Sequence, residues 1–132
     1  MSVELSVVVD GERVLRYDRD HPLDARQQRS LAEMDRRMDG GFELAGRRLE
    51  RPDPVARAQF VATALLQALD RGDDALAAAG TAWLATRFPE LQQVRITRHA
   101  GRDPTIELIF DRPYTPEARV SFTPDPTRGT AG

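Results

Sequence analysis

The chain has 132 residues, of which 40% are hydrophobic and 30% charged, with 19 basic side chains against 21 acidic ones and a formal net charge of −2. That length predicts one domain, and the near balance of charge supplies no long-range field to gather nucleic acid or anionic lipid. With no cysteine there is no disulfide framework, thiolate zinc site or catalytic thiol, and no apolar run approaches the ~20 residues of a membrane-spanning helix.

The first ten residues carry neither the basic stretch nor the long apolar core of a secretion signal, so a cytoplasmic location is the expectation. Every basic residue is arginine and none is lysine, which drift in a GC-rich genome explains more simply than selection for bidentate anion recognition.

Val3, Leu5, Val7 and Val9 alternate with Ser2, Glu4, Ser6 and Val8, a period-2 pattern that predicts a strand with one buried face. Asp10-Gly11 supplies a tight turn, because both residues tolerate positive φ, and Glu12 to Tyr17 returns as the second strand. Asp18, Asp20, His21 and Asp24 follow as a polar cluster that offers oxygen and nitrogen ligands. Its spacing matches no established metal loop, and the plainer reading is a solvated turn whose Asp24 caps the next helix.

Within Asp24 to Met38, Leu31, Met34 and Met38 fall at helical spacing and give a narrow apolar stripe on a charged surface helix. Gly40-Gly41 stops it. Phe42 to Leu49 then reads as a small hairpin turning at Ala45-Gly46, with Phe42 opposite Leu49 and Glu43 opposite Arg48. Two short strands are marginal in water, so this ribbon must lean on the core or on a partner. Arg36, Arg37, Arg47, Arg48 and Arg51 surround it, but six carboxylates from Glu33 to Asp53 interleave with them and no aromatic stacking surface stands between, so nucleic acid is disfavoured.

Asp53-Pro54 is a helix start, and from Val55 to Leu69 apolar residues occupy almost every side, which predicts a helix buried by its neighbours. Gly72 closes it, Asp73 or Asp74 caps the next helix, and Ala75 to Phe88 continues to the barrier at Pro89. The short linker makes the two helices antiparallel neighbours, and Ala77, Ala78, Ala79 and Gly80 let their axes approach. Leu76, Trp83, Leu84 and Phe88 supply the bulk of the contact. The second helix is too poor in large side chains to cover the first, so strands, a second copy or a partner must complete that cover.

Leu91 to Arg98 and Thr105 to Asp111 form a third ribbon around a loop from His99 to Pro104. The four prolines at 113, 116, 124 and 126 mark 113–132 as an extended or mobile tail, in which Val120 to Phe122 is the one apolar island able to dock.

The expected fold is therefore α+β: an N-terminal hairpin, a surface helix, a small second hairpin, a buried antiparallel helical pair and a C-terminal hairpin. An antiparallel sheet packs on the helices in a domain spanning 1–112. No phosphate loop, nucleophile elbow, metal-ligand set or cofactor motif is present in the sequence. The leading functional expectation is a small accessory or adaptor protein without catalysis, acting by contact with a protein partner or with itself as a homodimer. Its contact residues are Phe42, Leu44, Arg47, Arg48, Leu49 and Phe122. The alternative is a small enzyme or ligand-binding protein with a pocket between the helical pair and the sheet, drawing on Trp83, His99 and Arg102 with the acidic loop near His21.

Overall fold

Leu5, Ser6, Val7, Val8 and Val9 are all buried, and this run sets the architecture, because a strand hidden on both faces belongs in the middle of a sheet. The computed structural model describes residues 4–115. The expectations for 116–132, Phe122 included, lie outside the described residues.

In chain order the elements are β1 (Glu4–Val9), β2 (Glu12–Asp18), α1 (Ala25–Asp39), β3 (Phe42–Leu44), β4 (Arg47–Leu49), α2 (Pro54–Arg71), α3 (Asp74–Arg87), β5 (Gln93–His99) and β6 (Arg102–Ile109). Four strands form one sheet in the order β2-β1-β5-β6, and β3 pairs with β4 separately. The class is α+β, with helices packed on the sheet. The sheet is mixed rather than wholly antiparallel, because β1 and β5 run side by side in parallel. The two outer hairpins present their most apolar strands to each other, and the long helical connection between them permits that direction.

The expectation of a single buried face on β1 is corrected accordingly. Leu5, Val7 and Val9 join Val94 and Ile96 beneath the helices. Ser6 and Val8 point to the other face, beside Gln93 and Arg95. The chain after β6 folds back over that second face: the Gln93 side chain donates to the Arg112 carbonyl at 3.1 Å, and the Arg13 guanidinium lies 5.1 Å from the Tyr114 ring centre. Of the residues expected to form an extended or mobile tail from 113 onward, Tyr114 thus lies against Arg13 of β2.

The third ribbon turns more tightly than expected. Gly101 takes φ +71°, so β6 starts at Arg102 and runs through Pro104, and the strand accepts a proline because it is a sheet edge.

Each helix starts on an aspartate. Asp24 accepts from the Gln27 amide while the Gln27 side chain accepts from the Asp24 amide, a full capping box, and Asp53 and Asp73 cap α2 and α3 in the same sense. Gly72, at φ +74°, turns the chain from α2 into α3. Gly41 is required by a close approach: at φ +88° any Cβ there would sit 2.7 Å from the Leu49 carbonyl oxygen. Ala58, Val61, Ala62, Leu65 and Leu66 of α2 and Ala77, Gly80, Trp83, Leu84 and Ala85 of α3 are buried. Leu76, expected to share the bulk of the helix–helix contact, is instead 39% exposed.

Three arginines tie the layers together. Arg98 bridges Asp10 in the β1–β2 turn and Asp70 at the end of α2. Arg19 donates to the carbonyls of Ala85, Phe88 and Leu91 where α3 ends, satisfying acceptors that the helix terminus leaves open, and burial pushes its guanidinium pKa down. Arg57 of α2 pairs with Asp39 at the end of α1 at 2.9 Å.

Candidate functional site

Three neighbouring hollows, each sharing lining residues with the next, form a trough that runs from the α1–α3 side of the helical layer past α2 to the β3–β4 hairpin. Where α3 begins, its residues Ala75, Leu76, Ala79 and Gly80 are mostly small, so they floor a trough rather than fill it. Gly80 has a packing reason of its own: a Cβ there would lie only 3.4 Å from the Leu65 Cβ.

The central hollow, of about 230 Å³, is lined by Met34, Arg37 and Met38 of α1, Phe60, Val61, Ala64 and Leu65 of α2, and Leu76 and Gly80 of α3. Arg37 is its one charged lining residue. It shares Met34, Arg37 and Leu76 with a more open hollow that continues to Arg26, Arg29, Ser30 and Asp73. On the opposite side Phe60 and Ala64 are shared with a hollow of about 300 Å³ beneath the β3–β4 hairpin, where Glu43, Leu44, Asp103 and Pro104 stand.

Charge is distributed unevenly along this surface. Arg37 shares the Glu33 carboxylate with Arg36, and the pull of both arginines, Arg36 above all, holds Glu33 below its ordinary pKa. Arg26 and Arg29 at one end, and Glu43 and Asp103 at the other, are exposed and have no ion-pair partner among the described residues.

The sequence-derived contact residues divide. Phe42 is 6% exposed and its ring stacks on Phe60 at 4.1 Å, so the hairpin leans on α2 and this side chain belongs to the core. Leu44 and Leu49 are half-buried against that core, with Leu44 lining the trough. Arg47 and Arg48 are exposed, and Arg48 donates to the Gly40 carbonyl at 2.9 Å.

The residues of the alternative pocket do not come together. Trp83 is 2% exposed, packs edge-on to Phe88 and donates its indole N–H to Asp35 at 2.8 Å. Arg87 reaches the other oxygen of that carboxylate at 2.6 Å. Burial alone would raise the Asp35 pKa, but these two bonds, with the charges of Arg87 and Arg57, hold it below the usual carboxylate value. His99 and Arg102 face each other across the β5–β6 turn, where His99 bonds the Thr105 hydroxyl at 2.8 Å. His21 lies beyond the end of β2, level with the start of β5, and so at the opposite end of the sheet from His99.

The Asp18 to Asp24 loop folds on itself: Asp18 receives the Asp20 amide at 2.9 Å and holds the His21 ring at 3.1 Å. Among the described residues no three histidine, aspartate or glutamate side chains gather as metal ligands. An open hollow of about 570 Å³ beside this loop is lined by Tyr17, Arg19, His21 and Arg87 among others. Its strongest donors are committed, Arg19 to backbone carbonyls and Arg87 to Asp35. No described helix is long and apolar enough to cross a membrane.

Comparison with family models, curated proteins and solved structures returns no match. The geometry alone carries the functional reading. Sequence reasoning missed Met34, Ala64 and Leu76 as residues that line a hollow. The signal was present in the small-residue run of α3, which cannot both approach α2 closely and fill the space between α2 and α1.

Proposed function

We propose that this chain is a small accessory protein that acts by protein–protein contact, and that the contact is made on the trough between α1, α2 and α3. The observation that supports this reading is the hollow of about 230 Å³ lined by Met34, Met38, Phe60 and Leu76 among others, apolar except for Arg37 and sharing lining residues with a hollow on either side. Apolar side chains of a partner would find there the dewetted contacts that supply most association energy, while polar residues rim the surface. Methionines suit such a wall because their unbranched side chains adapt to the shape they meet. Leu44 extends the surface toward the β3–β4 hairpin and Arg47 and Arg48 lie beyond it.

The lack of cysteine agrees with a cytoplasmic setting for this contact. The charge near balance, with carboxylates among the arginines, supports a protein rather than a nucleic acid as partner.

Affinity capture with the full chain from the cells that make it, run beside the Leu76→Asp variant, tests the reading. The expected result is a discrete protein, of this sequence or another, retained by the wild type and lost by the variant. Equal retention by both, or none by either, speaks against it.

A further inference from the structure

The two ends of the trough differ in charge in a way that suggests its occupant. At one end Arg26 and Arg29 project from α1 without ion-pair partners among the described residues and outnumber Asp73, whose carboxylate is taken up in capping α3, and at the other Glu43 of β3 and Asp103 of β6 are unpaired in a hollow that no arginine lines. Between them lies the central hollow, apolar but for Arg37, whose charge Glu33 offsets, with Leu76 39% exposed in its lining. A surface that reads basic, apolar, acidic along its length is complementary to itself turned through 180°.

Resting on the protein-contact reading above, we infer that the trough is occupied by a second copy of this chain, related to the first by a two-fold axis through the central hollow. In that arrangement each basic end meets the partner copy's acidic end, and each Leu76 enters the apolar centre of the other copy. A two-fold contact is isologous, so every attractive pair occurs twice and a single self-complementary patch suffices to build it. The apolar centre supplies the affinity. The exposed ion pairs fix orientation and register, since such pairs add little energy when matched but oppose association strongly when like charges are juxtaposed.

Sedimentation of the full chain over a range of micromolar concentrations tests this. The wild type sediments at twice the chain mass, and Leu76→Asp sediments at the chain mass with its far-ultraviolet circular dichroism unchanged. Arg29→Glu and Glu43→Arg each weaken the dimer at least about tenfold, because each reversal sets like charges together at two symmetric places. Combined in one chain, the two reversals restore dimerisation to within a few-fold of wild type, a rescue that mere damage to folding would not produce.

A wild-type chain that remains monomeric overturns the assignment, as does a dimer indifferent to Leu76→Asp, or charge reversals that add rather than cancel. A monomeric chain that nevertheless captures a different protein in a Leu76-dependent way overturns the second-copy assignment and leaves the contact reading standing. A monomer that captures nothing overturns both.

Discussion

The inner and outer faces of the helical pair are made from the same two helices and packed to different standards. Toward the sheet, Leu84 and Ala62 are wholly buried among Leu5, Val7 and Val94, as close-packed as a protein interior is. Toward α1, the same helices leave Leu76 exposed and Phe60 and Ala64 half-covered around a hollow. The difference follows from what each face meets. A four-stranded sheet is broad enough to cover two helices, whereas one narrow stripe on α1, Leu31 and Met38 with Met34 behind them, is not. This unequal cover is the observation from which the proposed protein contact is argued.

This contrast can be broken by substitution. Leu84→Ala, on the inner face, should lower unfolding free energy in a denaturant titration by about 2–5 kcal/mol, because it opens a cavity where no neighbour can collapse. Asp35→Ala, at the α1–α3 contact, should cost about 1–3 kcal/mol by leaving the buried Trp83 indole N–H without an acceptor.

The same carboxylate gives a pH test. Its folded-state pKa is depressed, so its stabilising contribution is fully present above the unfolded aspartate value and is lost as pH falls through the folded one. The stability difference between wild type and Asp35→Asn should therefore shrink on acidification below about pH 4.

Ala45, held at φ +52° in the β3–β4 turn, should be improved by glycine. Ala45→Gly is expected to raise stability by up to about 1 kcal/mol in thermal unfolding. On the outer face, Leu76→Asp should change monomer stability least, by less than about 1 kcal/mol. Position 76 lies in the first turn of α3, where a carboxylate suits the helix dipole. A large loss there would place Leu76 in the core and remove the contrast between the faces.

Much of the fold is legible in the sequence because its local signals agree. Asp-Gly and Ala-Gly turns, aspartate caps, Pro54 and Pro89 and the helical period of α1 each locate an element, and the Phe42–Leu49 and Glu43–Arg48 register is the one found. What local signals cannot carry is the parallel pairing of β1 with β5, which joins strands far apart in sequence edge to edge with no turn between them. Val8 alone hints at it in the sequence, since it breaks the alternation of β1 and asks for cover on the second face.

The candidate site was legible only in part. The mismatch between an apolar α2 and a small-residued α3 locates the uncovered surface, yet which side chains line it depends on how α1 lies against the pair. The hairpin illustrates the gap: Phe42 looks like a free anchor in sequence and is an interior residue in the fold, because Phe60 is there to receive it.

Site-specific photo-crosslinking from position 76 in living cells tests the central claim most directly. A photoreactive residue there should yield one discrete protein adduct, which a second substitution inside the hollow, Ala64→Glu, abolishes. Absence of any adduct, or one unaffected by Ala64→Glu, would contradict the assignment of this face to protein contact.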